Sequence, residues 1–256
     1  NKDLSEGFIP LCVVSTIGTT SSTAVDPIRE IGEICKKYKC WHHIDASYSG
    51  AALLIPSMRW MSDGVELADS FVFNPHKWML TNFDCSAYFI KDKKALTNTF
   101  SILPEYLKTP QDHLVNNYRD WSIPLGRRFR ALKLWFVIRS YGINGLRKII
   151  EEHISIGQWL KKEMEKEDDF EILAPVPVNL ICFRYHPTGI KDEEELNRIN
   201  ATLLEGLNQT GKILLTQTKL GDKYTLRFVS GNLNTSMEEV NKSWNIITDF
   251  ARKIKL

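Results

Sequence analysis

The chain has 256 residues, of which 43% are hydrophobic and 25% are charged, and its formal net charge is +2. This composition is typical of a soluble globular protein, and the length suits one large domain or two modest ones. The balanced charge gives no electrostatic reason to expect a nucleic acid or an anionic membrane as a partner, and no apolar run approaches the ~20 residues of a membrane span.

The cysteines indicate a reducing environment. There are five, an odd number, and none forms a CxxC pair, which argues against disulfides and against a zinc site. We therefore expect a cytoplasmic location. Cys12 and Cys182 lie in apolar runs typical of strands, and we expect both thiols to be buried and unreactive.

The first part of the chain predicts strands that alternate with a helix. Residues 8–17 form a nearly continuous apolar run, which is typical of a parallel core strand covered on both faces. A helix is predicted next, with Asp26 as its N-cap and Pro27 at its first position. Further strands are predicted at 41–45, 70–73 and 85–90. This order is typical of an α/β layered domain.

The second part begins with a segment that lacks periodicity, from residue 103 to residue 120. A loop of this length inside a compact domain is often a functional lid. Long helices are predicted at 124–141 and 144–166, separated near Gly142. The remaining predicted elements are strands at 170–173, 179–185, 212–218 and 224–229 and helices at 192–207 and 236–254. Helices beside an antiparallel sheet predict a second, smaller α+β domain.

Polar residues follow three of the predicted strands. They are the turn Gly18-Thr19-Thr20-Ser21, Asp45 and Lys77. Ligands of open α/β sheets bind beyond the carboxyl ends of the strands, so we expect these residues to converge on one crevice. One interpretation is a buried ion pair between Asp45 and Lys77.

The other interpretation is a cofactor site. A deprotonated lysine, favoured by burial, attacks an aldehyde, and an aspartate can hold a pyridine nitrogen protonated so that the ring accepts electrons. Thr20, Asn74 and His76 could then bind a phosphate or a phenolic oxygen.

Four motifs occur in order over half of the chain. They are His43-Ile-Asp-Ala-Ser-Tyr-Ser-Gly50, Asn74-Pro-His-Lys-Trp-Met-Leu-Thr-Asn-Phe-Asp-Cys85, Pro104-Glu-Tyr-Leu-Lys108 and Asp120-Trp-Ser-Ile-Pro-Leu-Gly-Arg-Arg-Phe-Arg130. Together they resemble the group II decarboxylases that depend on pyridoxal 5'-phosphate (PLP), in particular the aromatic-L-amino-acid decarboxylase branch. The similarity runs from about Val13 to Tyr141 and continues more loosely to the end.

The resemblance implies the type I fold of PLP-dependent transferases. Residues 1–132 would form the C-terminal part of the large α/β domain, with a mobile catalytic loop at about 103–120. Residues 133–256 would form linking helices and the small C-terminal α+β domain.

The resemblance also implies roles for residues that match the family's motifs. Lys77 would bind the cofactor covalently, and Asp45 would pair with its pyridine nitrogen. Thr20 would lie beside the ring oxygen of the cofactor, and Asn74 and His76 would lie near its phosphate.

Three further residues bear on the reaction. Ser47 occupies a position beneath the cofactor ring that often holds Ala in the family. Tyr106 matches a loop tyrosine that protonates the carbanion left by CO2, whereas relatives with Phe there are aldehyde synthases, so its hydroxyl favours amine formation. Gly126 leaves room for a large ring and favours tryptophan, 5-hydroxytryptophan or DOPA over histidine as the substrate.

The expected activity is therefore decarboxylation of an aromatic L-amino acid, of the tryptophan, 5-hydroxytryptophan, DOPA or tyrosine type, to the amine and CO2. One alternative is an arylaldehyde synthase of the same family, which Tyr106 disfavours and which would release hydrogen peroxide and an aldehyde. The other is a non-catalytic binding domain of this fold. The intact Asp45, Lys77 and Tyr106 argue against it, and a missing cofactor absorbance band would favour it.

The resemblance implies partners as well. The family's stacking histidine and phosphate-binding loop belong upstream of the region matched here, and His42 and His43 are expected to be structural. The chain begins Asn1-Lys2-Asp3, without Met. We therefore expect a second chain, or the N-terminal half of the same enzyme, to complete the site. A homodimer is implied, in which the mobile loop reaches the neighbouring active site.

Overall fold

The computed structural model describes residues 2–102, 110 and 114–254, and it contains two four-stranded sheets. The predicted loop at 103–120 is therefore described only in part. Tyr106, with the motif at 104–108, lies outside the described residues.

The first sheet is mostly parallel. Its strands follow one another in space as they do along the chain: β1 (Cys12–Thr16), β2 (Trp41–Asp45), β3 (Ser70–Phe73) and β4 (Ala87–Ile90). The first three are parallel and β4 is antiparallel to β3. The helices of this part are α1 (Lys2–Ser5), α2 (Ile28–Tyr38), α3 (Pro75–Trp78) and α4 (Lys93–Phe100). Short 3-10 helices lie at Ser49–Leu54, Pro56–Ser62, Val65–Leu67 and Tyr118–Trp121.

The second sheet is antiparallel, with the strand order β5-β6-β8-β7. Its strands are β5 (Phe170–Ile172), β6 (Leu180–Tyr185), β7 (Thr216–Leu220) and β8 (Lys223–Val229). Helices α6 (Glu193–Gln209) and α7 (Met237–Ala251) supply apolar side chains to the core beside this sheet. Every residue of β6 is buried, including Arg184, whose guanidinium pairs with Glu171 and Glu193.

The long helix α5 (Arg130–Met164) joins the two parts. Leu146 and Ile150 pack in the core of the first part, and Leu160 and Met164 pack in the core of the second. At Gly142 the backbone leaves helical geometry, with φ 64° and ψ 173°, so the predicted separation of two helices there is confirmed. The first of these two helices was predicted to begin at residue 124, and this is wrong, because the helix begins only at Arg130.

The mixed α/β class is confirmed, but the first strand differs from the prediction. β1 lies at the edge of the sheet, and Val14 is 59% exposed. Leu11, just before the strand, is 83% exposed. The expected core strand covered on both faces is therefore wrong for the described residues, since β2 is the only described strand that pairs with β1. Cys12 is exposed for the same reason, against the expectation of burial.

Two other details correct the sequence interpretation. Asp26 does not cap α2, because its carboxylate accepts the backbone N–H of Thr16 at 2.7 Å and Pro27 occupies the N-cap position. The strand predicted at 212–218 begins at Thr216, and residues 212–215 are not in a strand. Among the residues with described positions, no helix has the length and apolar character needed to cross a membrane.

Candidate active site

The turns that follow β1 and β3 open onto the same cavity. Lys77 lies on α3, directly after β3, and Thr20 lies in the turn after β1. Both line a cavity of about 180 Å³, whose other walls are Thr19, Thr23, Tyr48, Leu180, Arg227 and Val229. The structure thus brings these two predicted residues together at the carboxyl ends of parallel strands, as expected for a ligand site.

Asp45, at the end of β2, has a fixed carboxylate. Its Oδ1 atom accepts hydrogen bonds from the backbone N–H of Ser47 at 2.9 Å and from the Ser47 hydroxyl at 2.5 Å. The Ser47 side chain therefore has a defined partner, which the sequence did not indicate. Oδ2 of Asp45 accepts no hydrogen bond from the described residues, so it is free to accept one from a ligand.

Backbone hydrogen bonds connect the turn after Asp45 to the turn that carries Lys77. The N–H of Asn74 donates to the carbonyl of Ser47 at 3.1 Å, and the N–H of Lys77 donates to the carbonyl of Asn74 at 2.9 Å. The first of these bonds joins the turns that follow β2 and β3, so Asp45 and Lys77 lie at neighbouring strand ends although they are 32 positions apart in the chain. Asp45 itself is not among the residues that line the cavity.

Lys77 is exposed in the structure, and its side chain forms neither an ion pair nor a hydrogen bond with the described residues. The interpretation of Asp45 and Lys77 as a buried ion pair is therefore wrong within this part of the chain. The expected activation of the amine by burial is also not met by the described residues, because the side chain is open to solvent.

Asn74 and His76 make local contacts. Oδ1 of Asn74 accepts a hydrogen bond from the Ser86 hydroxyl at 2.6 Å, and Nδ1 of His76 accepts one from the backbone N–H of Cys85 at 2.9 Å. These bonds hold α3 against the chain that leads into β4. They leave the Asn74 amide and the second nitrogen of His76 available, so a role near a phosphate stays a prediction for both.

The second sheet holds the turn after β1. Arg227, on β8, donates from Nε to the carbonyl of Ser21 at 3.0 Å and from a terminal nitrogen to the carbonyl of Thr20 at 2.6 Å. Thr218 donates to the Ser21 hydroxyl at 3.0 Å, and the thiol of Cys182 contacts the Ser21 carbonyl at 3.2 Å. Burial raises the pKa of the Cys182 thiol to about 11, which fits the expected unreactive cysteine.

Tyr48 and Arg227 are among the cavity-lining residues that sequence reasoning missed. Tyr48 lies within the motif that contains Asp45, so proximity to the aspartate was a usable signal. Burial raises the pKa of its hydroxyl. Arg227 lies in a strand of alternating pattern, where nothing local distinguishes it from an ordinary surface arginine.

Gly126 and the two histidines lie apart from the cavity. Gly126 is exposed, and a Cβ atom built on it would meet no described atom within 4 Å. Its role in substrate choice stays a prediction. His42 is buried and shares a hydrogen bond with Ser15 at 2.7 Å, and His43 shares one with Ser70 at 2.8 Å, which fits the expected structural roles.

Comparison with known proteins identifies the family. The sequence model of the pyridoxal-dependent decarboxylase conserved domain matches residues 1–186. Tyrosine decarboxylase 4 of Petroselinum crispum is 44% identical over 254 residues, which is 97% of this chain and 50% of that protein. Phenylacetaldehyde synthase of Arabidopsis thaliana is also 44% identical over 254 residues, or 98% of this chain and 51% of that protein.

A solved structure of Oryza sativa TDC with PLP and tryptamine superposes with a TM-score of 0.95. It is 34% identical, and the match covers 98% of this chain and 52% of that one. The predicted fold of PLP-dependent enzymes is therefore confirmed. The chain spans about half the length of the curated relatives it matches, and it belongs to the pyridoxal-dependent decarboxylase family.

Proposed function

We propose that the protein containing this chain decarboxylates aromatic L-amino acids to amines and CO2 with the help of PLP. The observation that carries the proposal is that Thr20 and Lys77 line one cavity beyond the ends of β1 and β3, while Asp45 ends the strand β2 that lies between them. The relatives named tyrosine decarboxylase and tryptophan decarboxylase support the aromatic substrate class.

The residues present suit PLP in their chemistry. Asp45 offers a free carboxylate oxygen to a protonated pyridine nitrogen, and Lys77 offers a primary amine to an aldehyde. The hydroxyl of Thr20, the amide of Asn74 and the imidazole of His76 suit the polar substituents. When bound, PLP supplies an electron sink for the electron pair that remains as CO2 leaves.

The side chains of this chain would then bind the cofactor, orient it and protonate the substrate. Ser47 fixes Oδ1 of Asp45, so that Oδ2 keeps one direction toward the ring nitrogen. Lys77 would hold the cofactor through its primary amine. We assign to Tyr106 the delivery of its phenolic proton to the substrate Cα, and to closure of the loop at about 103–120 the exclusion of water.

The choice between amine and aldehyde formation depends on Tyr106. Overall identity does not separate the two outcomes, since a tyrosine decarboxylase and a phenylacetaldehyde synthase are equally similar to this chain. Replacement of Tyr106 by Phe is expected to reduce amine formation and to raise aldehyde, hydrogen peroxide and oxygen uptake. Tyr38→Phe, on α2 and outside that loop, is the matched control and should leave the products unchanged.

Gly126 supports substrates with a large ring, such as tryptophan, 5-hydroxytryptophan or DOPA, with tyrosine in the same class. Its exposure and the empty space around its Cα fit a pocket wall completed by other polypeptide.

We also propose the partners of this chain. Phe8, Leu11 and Val14, at and before the edge strand β1, are 64%, 83% and 59% exposed, and Phe89 on β4 is 58% exposed. Exposed apolar area of this kind favours contact with further polypeptide, for which we propose the complementary half of the enzyme and, from the family resemblance, a homodimer. The five free cysteines fit a reducing compartment such as the cytoplasm.

The experiment that tests the activity is a spectrum of the purified protein before and after borohydride reduction, followed by peptide mapping. A visible absorbance band and a phosphopyridoxyl adduct on Lys77 would support the proposal, and a Lys77→Arg variant should lack the adduct. Lys36→Arg, at an exposed lysine on α2, should keep it. No band and no adduct in the presence of added PLP would contradict the proposal and favour a non-catalytic binding domain.

A further inference from the structure

The residue that follows Lys77 connects its turn to the second part of the fold. Trp78 is only 1% exposed, and its indole Nε1 donates a hydrogen bond of 3.0 Å to Nδ1 of His153 on α5. Because Lys77 and Trp78 are adjacent, the position of the buried indole limits where the lysine backbone can lie.

The same indole is held from its other side. The ring of Tyr48 stacks on Trp78, with 5.0 Å between the ring centroids and 4° between the planes. The Tyr48 hydroxyl donates to Oδ1 of Asn179 at 2.9 Å, and Nδ2 of Asn179 donates to the carbonyl of Ser230 at 2.7 Å. The Ser230 hydroxyl donates to the carbonyl of His153 at 2.9 Å. These five residues form a closed circuit, which we call the Trp78 ring.

The Trp78 ring is buried and tightly packed. His153 is 2% exposed, Ser230 1% and Asn179 fully buried. A Cβ atom on Gly231 would lie 3.1 Å from both the Tyr48 hydroxyl and the Asn179 amide nitrogen, so the surrounding space is filled. A buried polar circuit with satisfied members is rigid, and leaving one member without its partner costs about 1–3 kcal/mol.

His153 can accept from Trp78 only when its Nδ1 atom carries no proton. The bond from Trp78 therefore selects the neutral tautomer that bears its hydrogen at Nε2. The desolvation that comes with burial lowers the pKa of His153 and keeps the neutral form.

We propose that the Trp78 ring positions Lys77 for reaction with the cofactor aldehyde, and that Tyr48, Trp78 and His153 are positioning residues. The inference rests on the proposed function, because it assigns the purpose of the ring to a cofactor-binding lysine. Tyr48 makes the connection direct, since it belongs to the ring and also lines the cavity onto which Lys77 opens.

Conservative variants test the proposal. Trp78→Phe keeps an aromatic ring but removes the indole donor, and Tyr48→Phe removes the hydroxyl. The matched controls are Trp244→Phe and Tyr185→Phe, which alter buried aromatic residues of the second core, 5% and 6% exposed, away from the ring. All are studied at a temperature at which each protein is folded.

Two measurements are made on the purified full-length protein. The first is hydrogen–deuterium exchange of the backbone amides at 74–85 without cofactor, and the second is the rate at which added PLP forms the adduct on Lys77. We expect the Trp78 and Tyr48 variants to raise the exchange and to slow the adduct about fivefold to tenfold, as loss of one buried hydrogen bond predicts. The controls should keep both values of the parent protein.

The outcomes separate the two proposals. If the parent protein forms no adduct on Lys77, the proposed function fails, while the exchange data still report whether the ring constrains the lysine turn. If the parent forms the adduct and the Tyr48 and Trp78 variants behave as their controls do, the positioning role is overturned. The double variant should lose less than the product of the two single effects, because both changes open the same ring. Should Trp78→Phe fail to fold, Tyr48→Phe carries the test alone.

Discussion

Gly18 provides the sharpest test of the turn that contains Thr20. Its φ angle is +86°, a region that residues with a Cβ atom rarely adopt. A Cβ atom at this position would lie 2.0 Å from Oγ and 2.7 Å from Cβ of Ser49. Because Ser49 is fully buried, its side chain has little room to move aside. Its hydroxyl has no hydrogen-bond partner among the described residues.

The magnitude follows from two separate penalties for Gly18→Ala. The left-handed backbone costs about 1–2 kcal/mol for a residue with a side chain. Overpacking against Ser49 costs about 1–3 kcal/mol more. We therefore expect the free energy of unfolding to fall by about 2–5 kcal/mol, a large part of the roughly 5–15 kcal/mol that stabilises a folded domain.

Denaturant unfolding of four variants separates the penalties. Gly189→Ala is the matched control, because Gly189 has φ +94° between β6 and α6 but no atom within 4 Å of its added Cβ. The Gly189→Ala variant should lose only the stability that corresponds to the cost of the left-handed backbone. Ser49→Gly combined with Gly18→Ala should recover the overpacking part, relative to Ser49→Gly alone. If Gly18→Ala were no more destabilising than Gly189→Ala, the close approach of Gly18 to Ser49 would be refuted.

Three other predictions concern the surroundings of the site. Arg227→Ala should lower the free energy of unfolding by about 2 kcal/mol, because the carbonyls of Thr20 and Ser21 lose charge-assisted donors. Arg252→Ala, at more exposed ion pairs with Glu167 and Asp169, should cost less, and equal losses in urea titrations would contradict this. Burial lowers the pKa of His42, as it does the pKa values of His43 and His153, so the unfolded state binds more protons below the ordinary histidine pKa of about 6.5, and stability should fall as the pH drops below that value. A His42→Gln variant should flatten that slope, and an identical slope would contradict the assignment. Ser47→Ala should cost about 1 kcal/mol through the lost bond to the carboxylate. Ser57→Ala, at an exposed serine, should change stability by less than about 0.5 kcal/mol, so similar values for the two would argue against a fixed carboxylate.

Local patterns predicted much of the first sheet. The strands at 41–45 and 70–73 have the predicted bounds, since each is a short apolar run flanked by turn residues. Asp45 and Lys77 were placed near each other by the rule that ligands bind at the carboxyl ends of parallel strands. Their chemical roles came from the resemblance of the motifs, because spacing alone left an ion pair open.

Most of the features that were not predicted depend on contacts between residues that are distant in the sequence. An apolar run does not show whether its strand lies inside a sheet or at its edge, so the exposure of β1 was not predictable. The bond from Arg227 to the carbonyl of Ser21 spans 206 positions, and no local pattern encodes it. The bond from the Ser47 hydroxyl to Asp45 spans only two positions, yet serine in a turn has several possible partners, and only the backbone geometry selects this one.

The arrangement of the site suggests why reactive and anchoring residues alternate along two short segments. Lys77 lines the cavity and Asp45 ends the neighbouring strand β2. Tyr48, three positions after Asp45, and Trp78, directly after Lys77, stack on each other and attach to the second part of the fold. The Lys77 amine forms no hydrogen bond or ion pair with the described residues, whereas Ser47 already holds one oxygen of Asp45. The fixed geometry has to come from neighbours in the chain, and the aromatic pair provides it. Substitutions at Tyr48 or Trp78 should therefore impair the site without altering any group that does the chemistry.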